Sequence, residues 1–185
     1  MDKPTQKREQ LARNRNILHT GKFLRLVKED HWEYSERINS PGAVIIVPVT
    51  DDGKVVVIEQ YRIPLHSRVI EFPAGVIGDE PEAGDETHIE AARRELLEET
   101  GFQAKELVLL VSGAASSGQS SEVVTMFLAK GVRSIAKGGG IGHEQITVHE
   151  VPLDSADEWL ETKAKEGLLI DPKIYAGLYF INQSK

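Results

Sequence analysis

Residues 87–100 combine a helical pattern with a charge arrangement that few folds accommodate. Thr87 followed three residues later by Glu90 reads as a capping box. Ala91, Ala92, Leu96 and Leu97 favour helix, and Gly101 is a natural stop. On such a helix Glu95, Glu98 and Glu99 share one face about 100° wide within a single turn. Like charges at this spacing repel by a few tenths of a kcal/mol each. The face is therefore either solvated or neutralised by a partner. Carboxylates in this arrangement suit hard divalent cations, and Mg²⁺ completes its shell with waters and substrate phosphates.

The segments around this helix read mostly as strands. Residues 22–27 and 31–37 alternate apolar and polar side chains and predict two antiparallel strands after a solvated, polar arm over 1–16 that a helix would also suit. The apolar run 43–47 predicts a strand buried on both faces. Asp51-Asp52-Gly53 is a hairpin turn, and 55–62 the return strand. Strands are expected over 69–72, 107–111, 123–129 and 145–151. Loops are expected over the acidic stretch 78–86, the small polar stretch 112–121 and the glycines of 138–142. Asp154 is placed to cap a helix over 155–166. Asp171-Pro172 opens a last helix ending near 181. The order of strands, helix, strands and helices predicts an α/β (α+β) protein with a mixed β-sheet between helices.

Composition narrows the chemistry. The chain has 185 residues, 22 basic against 29 acidic, a net charge of −7 and no cysteine. Thiolate nucleophiles, disulfides and zinc–thiolate sites are excluded. A nucleic-acid partner is not expected of so acidic a chain. No apolar run approaches a membrane span, and no signal-peptide h-region is evident, so a cytoplasmic protein without a membrane partner is expected. Such a chain meets an anionic ligand through cations or a local group of Arg and Lys.

Gly75, Glu86, Arg94-Glu95-Leu96-Leu97-Glu98-Glu99 and Gly101-Phe102 together resemble the Nudix box, with a complete match from Glu86 to Phe102. One departure is present: ten residues separate Gly75 from Glu86 where the pattern has five. A longer loop costs little closure entropy, so the helix keeps its geometry. Glu59-Gln60-Tyr61-Arg62 and Ile70-Glu71-Phe72-Pro73-Ala74-Gly75 are similar to the strand pair before the box in ADP-ribose pyrophosphatases and nucleoside-diphosphate-sugar relatives. The segment 116–122 is similar to a Ser-Pro-Gly stretch of the same branch, with Ser117 in place of the proline.

The resemblance implies a Nudix fold in two parts: an arm and small dimerising antiparallel sheet over 1–40, and a hydrolase domain over 41–185. It implies Mg²⁺, with Mn²⁺ able to substitute, held by Glu95, Glu98, Glu99 and the Ala74 carbonyl. Arg94 and Glu86 would form an ion pair, or Glu86 would touch the metal. Arg62 and Glu71 would lie at the substrate. The general base would come from a distant loop, and Glu144 is the candidate. Glu98, Glu150 and His143 are the alternatives, and a solvated Glu144 is the plainer reading. Trp32 is either a core residue or a platform for a nucleobase, and Arg37 goes with it. The implied activity is hydrolysis of nucleoside diphosphate sugars by a homodimer. The rivals are a strict ADP-ribose pyrophosphatase and a non-catalytic nucleotide-binding regulator.

Overall fold

The computed structural model describes residues 14–78, 86–140 and 145–183. A small sheet comes first: β1 (Arg15–Thr20), β2 (Leu24–Glu29) and β3 (Trp32–Arg37), antiparallel in the order β1-β2-β3. The sequence predicts the last two strands and assigns Arg15 and Asn16 to the arm; the structure instead starts a third strand there. Asn14, at φ 87°, turns the chain into it. Arg15 and Arg25 both pair with Glu36 and tie the three strands together.

The main sheet holds β4 (Ala43–Thr50), β5 (Lys54–Arg62), β6 (Ser67–Glu71), β7 (Ala74–Val76), β8 (Phe102–Gln103), β9 (Glu106–Ala114), β10 (Val123–Ser134), β11 (Thr147–Pro152) and β12 (Leu169–Ile170). Its path runs β12-β6-β5-β4-β10-β8, with β11 on β5, β7 on β4 and β9 on β10. The β4–β10 and β6–β12 pairs are parallel and the others antiparallel, so the sheet is mixed.

Among the described residues three α-helices cover it: α1 (His88–Thr100), α2 (Ala156–Lys165) and α3 (Lys173–Gln183). The continuous apolar run in β4 is explained by its position. Val44 and Ile46 pack on one face with Ala91, Ala92 and Leu96 of α1. Ile45 and Val47 pack on the other with Leu160 of α2 and Ile174 of α3. A strand covered on both sides cannot alternate polar with apolar residues.

Several local expectations shift. β7, β8 and β12 are too short for periodicity to reveal, and β9 and β10 run further than read from the sequence. Asp154 does not cap α2: a 3-10 turn over Leu153–Ser155 precedes the helix, and Ser155 is the N-cap, without a side-chain bond. Asp171 does open α3, accepting the Lys173 N–H at 2.8 Å. Gly177 of α3 faces Phe72 so closely that a Cβ there would overlap the ring. This contact fixes Phe72, two residues ahead of Ala74.

The two sheets meet along a polar seam. Ser35 donates its N–H to the Gln119 carbonyl at 2.9 Å and accepts from the Ser121 N–H at 3.1 Å. The Trp32 indole donates to the Gly118 carbonyl at 3.2 Å, and Arg37 pairs with Glu122 at 2.7 Å.

Candidate active site

The capping box is formed as the sequence implies. The Thr87 hydroxyl accepts the Glu90 N–H, and Glu90 accepts the Thr87 N–H at 2.8 Å. Gly101, at φ 75°, ends α1. Its three glutamates then face β7, but they are less exposed than a solvated face requires. Glu95 and Glu99 are buried, Glu99 to 4% exposure, and Glu98 is half-buried. Of the two readings of this face, solvated or neutralised by a partner, the solvated one is corrected for Glu95 and Glu99. The Glu99 carboxylate accepts the Ala74 N–H at 2.9 Å and so joins helix to strand.

Arg94 neutralises much of this charge. Its Nε and Nη2 donate to Glu86 at 2.9 and 3.2 Å. Its Nη1 donates to Glu95 at 2.8 Å and to Glu98 at 3.2 Å, and Nη2 reaches the Val76 carbonyl at 3.3 Å. One planar guanidinium with five donors thus holds the loop, the helix and β7. The carboxylates around it push its already high pKa further up. Glu86 also accepts the Gly78 N–H at 3.0 Å, so of the two readings of Glu86 the ion pair with Arg94 is the one formed here.

Gly75 explains the remaining constraint. A Cβ at this position would overlap the Glu95 carboxylate. Only hydrogen leaves room for a charged oxygen against the β7 backbone. Glu95, Glu98 and Glu99 beside the Ala74 peptide make an all-oxygen donor set, the chemistry a hard divalent cation selects. Among the described residues no three acidic or histidine side chains already converge into a cage. Arg94 holds Glu95 and Glu98 in position, and each carboxylate retains further lone pairs for a cation.

Arg62 and Glu71 lie on adjacent strands and form a two-pronged pair, Nε–Oε1 2.7 Å and Nη2–Oε2 2.8 Å. Arg62 shares strand parity with Val56, which packs against α1. Trp32 and Arg37 are not brought to this helix but sit at the seam with 118–122. Trp32 is 50% exposed, which corrects the reading of it as a core residue. Glu144 and His143 lie outside the described residues, as do 79–85 of the acidic loop and 1–13 of the arm. Glu150 is paired with Lys54 at 3.7 Å on β11.

The glycine segment carries a role the sequence did not reveal. The N–H groups of Gly139 and Gly140 donate to the carbonyls of Glu99 and Glu98 at 2.9 and 3.1 Å. Gly138 approaches the Thr100 carbonyl so closely that a Cβ would overlap it, and all three glycines have positive φ. These residues are a close-fitting cap on the C-terminal end of α1. Only the requirement of glycine for such backbone contact could have hinted at it.

The family model for the NUDIX domain matches residues 39–170. The ADP-ribose pyrophosphatase of Bacillus subtilis (strain 168) is 34% identical over 155 residues, 79% of this chain and 80% of that protein. A protein of Bacillus methanolicus named methanol dehydrogenase activator is 33% identical over 153 residues, 79% and 80% of the two chains. The GDP-mannose pyrophosphatase of Yersinia pestis (strain Pestoides F) is 31% identical over 153 residues, 77% and 74%. A crystal structure of an ADP compounds hydrolase superposes with a TM-score of 0.67, covering 92% of this chain and 90% of that one at 22% identity, and shares its fold.

Arg94 holds the Glu86 carboxyl below its ordinary value of 4.5, burial opposes this, and the Gly78 N–H adds to the lowering. A depressed carboxyl pKa stabilises the fold fully above the unfolded value and loses that contribution as pH falls through the folded one. Glu86→Gln should therefore lower unfolding free energy by roughly 1–3 kcal/mol at pH 7. Urea titrations at several pH values should show the gap to wild type closing below about pH 4.5. A gap independent of pH would contradict the ion-pair reading.

Proposed function

The chain belongs to the Nudix family, and from that premise we propose that it hydrolyses the diphosphate bond of nucleoside diphosphate sugars of the ADP-ribose and GDP-mannose type. The observation that carries this reading is the buried carboxylate face of α1, set against Gly75 and neutralised by Arg94, with Arg62 on a neighbouring strand. Pyrophosphatases acting on ADP-ribose and on GDP-mannose stand among its relatives, and the chain is read as an enzyme of that kind rather than a regulator. An intact carboxylate set has no purpose in a module that only senses a nucleotide.

Glu95, Glu98, Glu99 and the Ala74 carbonyl would hold the divalent cation, Mg²⁺ by preference and Mn²⁺ as a substitute. When bound, the cation supplies charge neutralisation of the diphosphate and polarisation of its oxygens. Arg62, oriented by Glu71, presents its guanidinium to a phosphate. Arg94 keeps Glu95 and Glu98 in register. A water attacks one phosphorus, the bridging P–O bond breaks, and the proton goes to a carboxylate, assigned to Glu144 with Glu98 as the alternative. The products are a nucleoside monophosphate and a sugar phosphate. Trp32 offers a half-exposed ring for a nucleobase, and Arg37 holds that strand to the seam through Glu122.

The small sheet is the expected dimer contact. Ile17, Leu18, Phe23, Leu24 and Leu26 are all exposed on it, and of the residues in its three strands Val27 alone is buried. We assign a division near residue 40, a homodimer and a cytoplasmic location; among the described residues no helix is long and apolar enough to cross a membrane. Light scattering should give twice 20.5 kDa, and a monomer mass at micromolar concentration would remove the dimer.

Phosphorus NMR of the protein with ADP-ribose or GDP-mannose and Mg²⁺ should show both products, and excess EDTA should abolish them. Glu98→Gln and Glu99→Gln should each reduce kcat by roughly 10²–10³. Their thermal midpoints should change little, because glutamine at position 99 still accepts the Ala74 N–H and the half-buried residue at position 98 can still accept from Arg94 through its amide oxygen. Wild-type turnover in both variants would remove α1 from the chemistry.

A further inference from the structure

The last turn of a helix leaves carbonyls with no partner inside the helix, and such ends fray. In α1 this turn carries Glu98 and Glu99, two of the three carboxylates assigned to the cation. Gly101 already ends the helix by itself, its N–H donating to the Leu97 carbonyl at 2.8 Å. The Thr100 hydroxyl adds a bond back to the Leu96 carbonyl and accepts the Phe102 N–H at 3.1 Å. A second cap nevertheless arrives from the segment between β10 and β11. Gly140 and Gly139 donate to the carbonyls of Glu98 and Glu99, the ligand residues themselves.

This second cap makes strict demands on the backbone. φ is 65°, 112° and 81° at Gly138, Gly139 and Gly140, a run of positive values that only glycine adopts readily. Gly138 and Gly101 press backbone against backbone: a Cβ at Gly138 would overlap Thr100, and one at Gly101 would overlap Ala136. Gly139 is also held from its other side, its carbonyl accepting the Ile146 N–H at 3.3 Å just ahead of β11. The last turn of α1 is thereby clamped between the end of β10 and the start of β11. Functional side chains need placement to about 0.5 Å, which a fraying turn does not provide.

We propose that Gly138-Gly139-Gly140 is a positioning element of the cation site. It holds the peptides of Glu98 and Glu99 so that their side chains meet the metal, and the cation in turn holds the glycine segment in place. The inference rests on the assignment of α1 to the cation and deepens it. The three glycines act on the metal only through the two ligand residues. Coupling of this kind is reciprocal: the factor by which the cap raises cation affinity is the factor by which the cation stabilises the cap.

Gly139→Ala isolates the effect. A Cβ there has open space, with the Ile146 carbonyl nearest at 3.9 Å, so the φ of 112° is what alanine resists. Gly53→Ala is the matched control, straining a φ of 79° with open space around it in the hairpin between β4 and β5. Mn²⁺ titration followed by electron paramagnetic resonance should show binding weakened about fivefold or more by Gly139→Ala and by less than about twofold by Gly53→Ala. In wild type, saturating Mg²⁺ should slow amide hydrogen exchange at Gly139 and Gly140 by a similar factor. The Gly53 amide, bonded to the Thr50 carbonyl at 3.1 Å, should not respond. Equal Mn²⁺ affinity in Gly139→Ala, an equal loss in Gly53→Ala, or glycine amides indifferent to Mg²⁺ would each overturn the proposal. If Gly139→Ala fails to fold, the exchange measurement on wild type decides. A wild type that binds no Mn²⁺ would refute the cation site and this coupling together. Binding with the expected coupling, but without hydrolysis of ADP-ribose or GDP-mannose, would refute the hydrolase reading alone.

Discussion

The site depends on one guanidinium. Arg94 sits on α1 but reaches the loop residue Glu86, the carboxylates of Glu95 and Glu98, and the backbone of β7 at Val76. Without it, a helix would bring three carboxylates to a partly buried face with no compensating charge. Removing the guanidinium, which would leave the buried carboxylates uncompensated, commonly costs about 3–5 kcal/mol. The same residue limits electrostatic strain and sets the carboxylate positions, so stability and chemistry are not separable at this point. Gly75 completes the arrangement by leaving the space that the Glu95 carboxylate occupies.

The acidic balance of the chain then becomes intelligible. A protein of net charge −7 would repel a diphosphate at long range. Locally the sign is reversed in two ways: the α1 face has donors for a cation, and the end of β5 presents Arg62 outward from Glu71. The relatives named for ADP-ribose and GDP-mannose differ in both base and sugar. A site centred on the diphosphate is compatible with such variation, because that group is common to both substrates.

Much of this was legible in the sequence because the informative residues are close together. The capping box, the acidic face of α1 and the stop at Gly101 follow from spacing within a single helix, and the doubly buried β4 follows from an apolar run. What spacing could not show was depth. Glu99 is buried because it bonds the Ala74 N–H, a contact across 25 residues of chain. β7 is three residues long and carries no periodicity of its own. Gly138, Gly139 and Gly140 read as a flexible loop, yet their N–H groups and lack of Cβ serve the end of α1. Trp32 could not be placed by its apolar character alone, since its indole bonds a carbonyl 86 residues away. Long-range backbone partners decided each of these positions.

The central claim is that the space above Gly75 seats the carboxylate that holds the cation. Electron paramagnetic resonance of Mn²⁺ titrated into wild type and Gly75→Ala, without substrate, measures it directly. The account predicts that alanine displaces Glu95 and weakens Mn²⁺ binding by about tenfold or more, the loss of one charged ligand, while circular dichroism shows the fold retained. Equal Mn²⁺ affinity in the two folded proteins would contradict it.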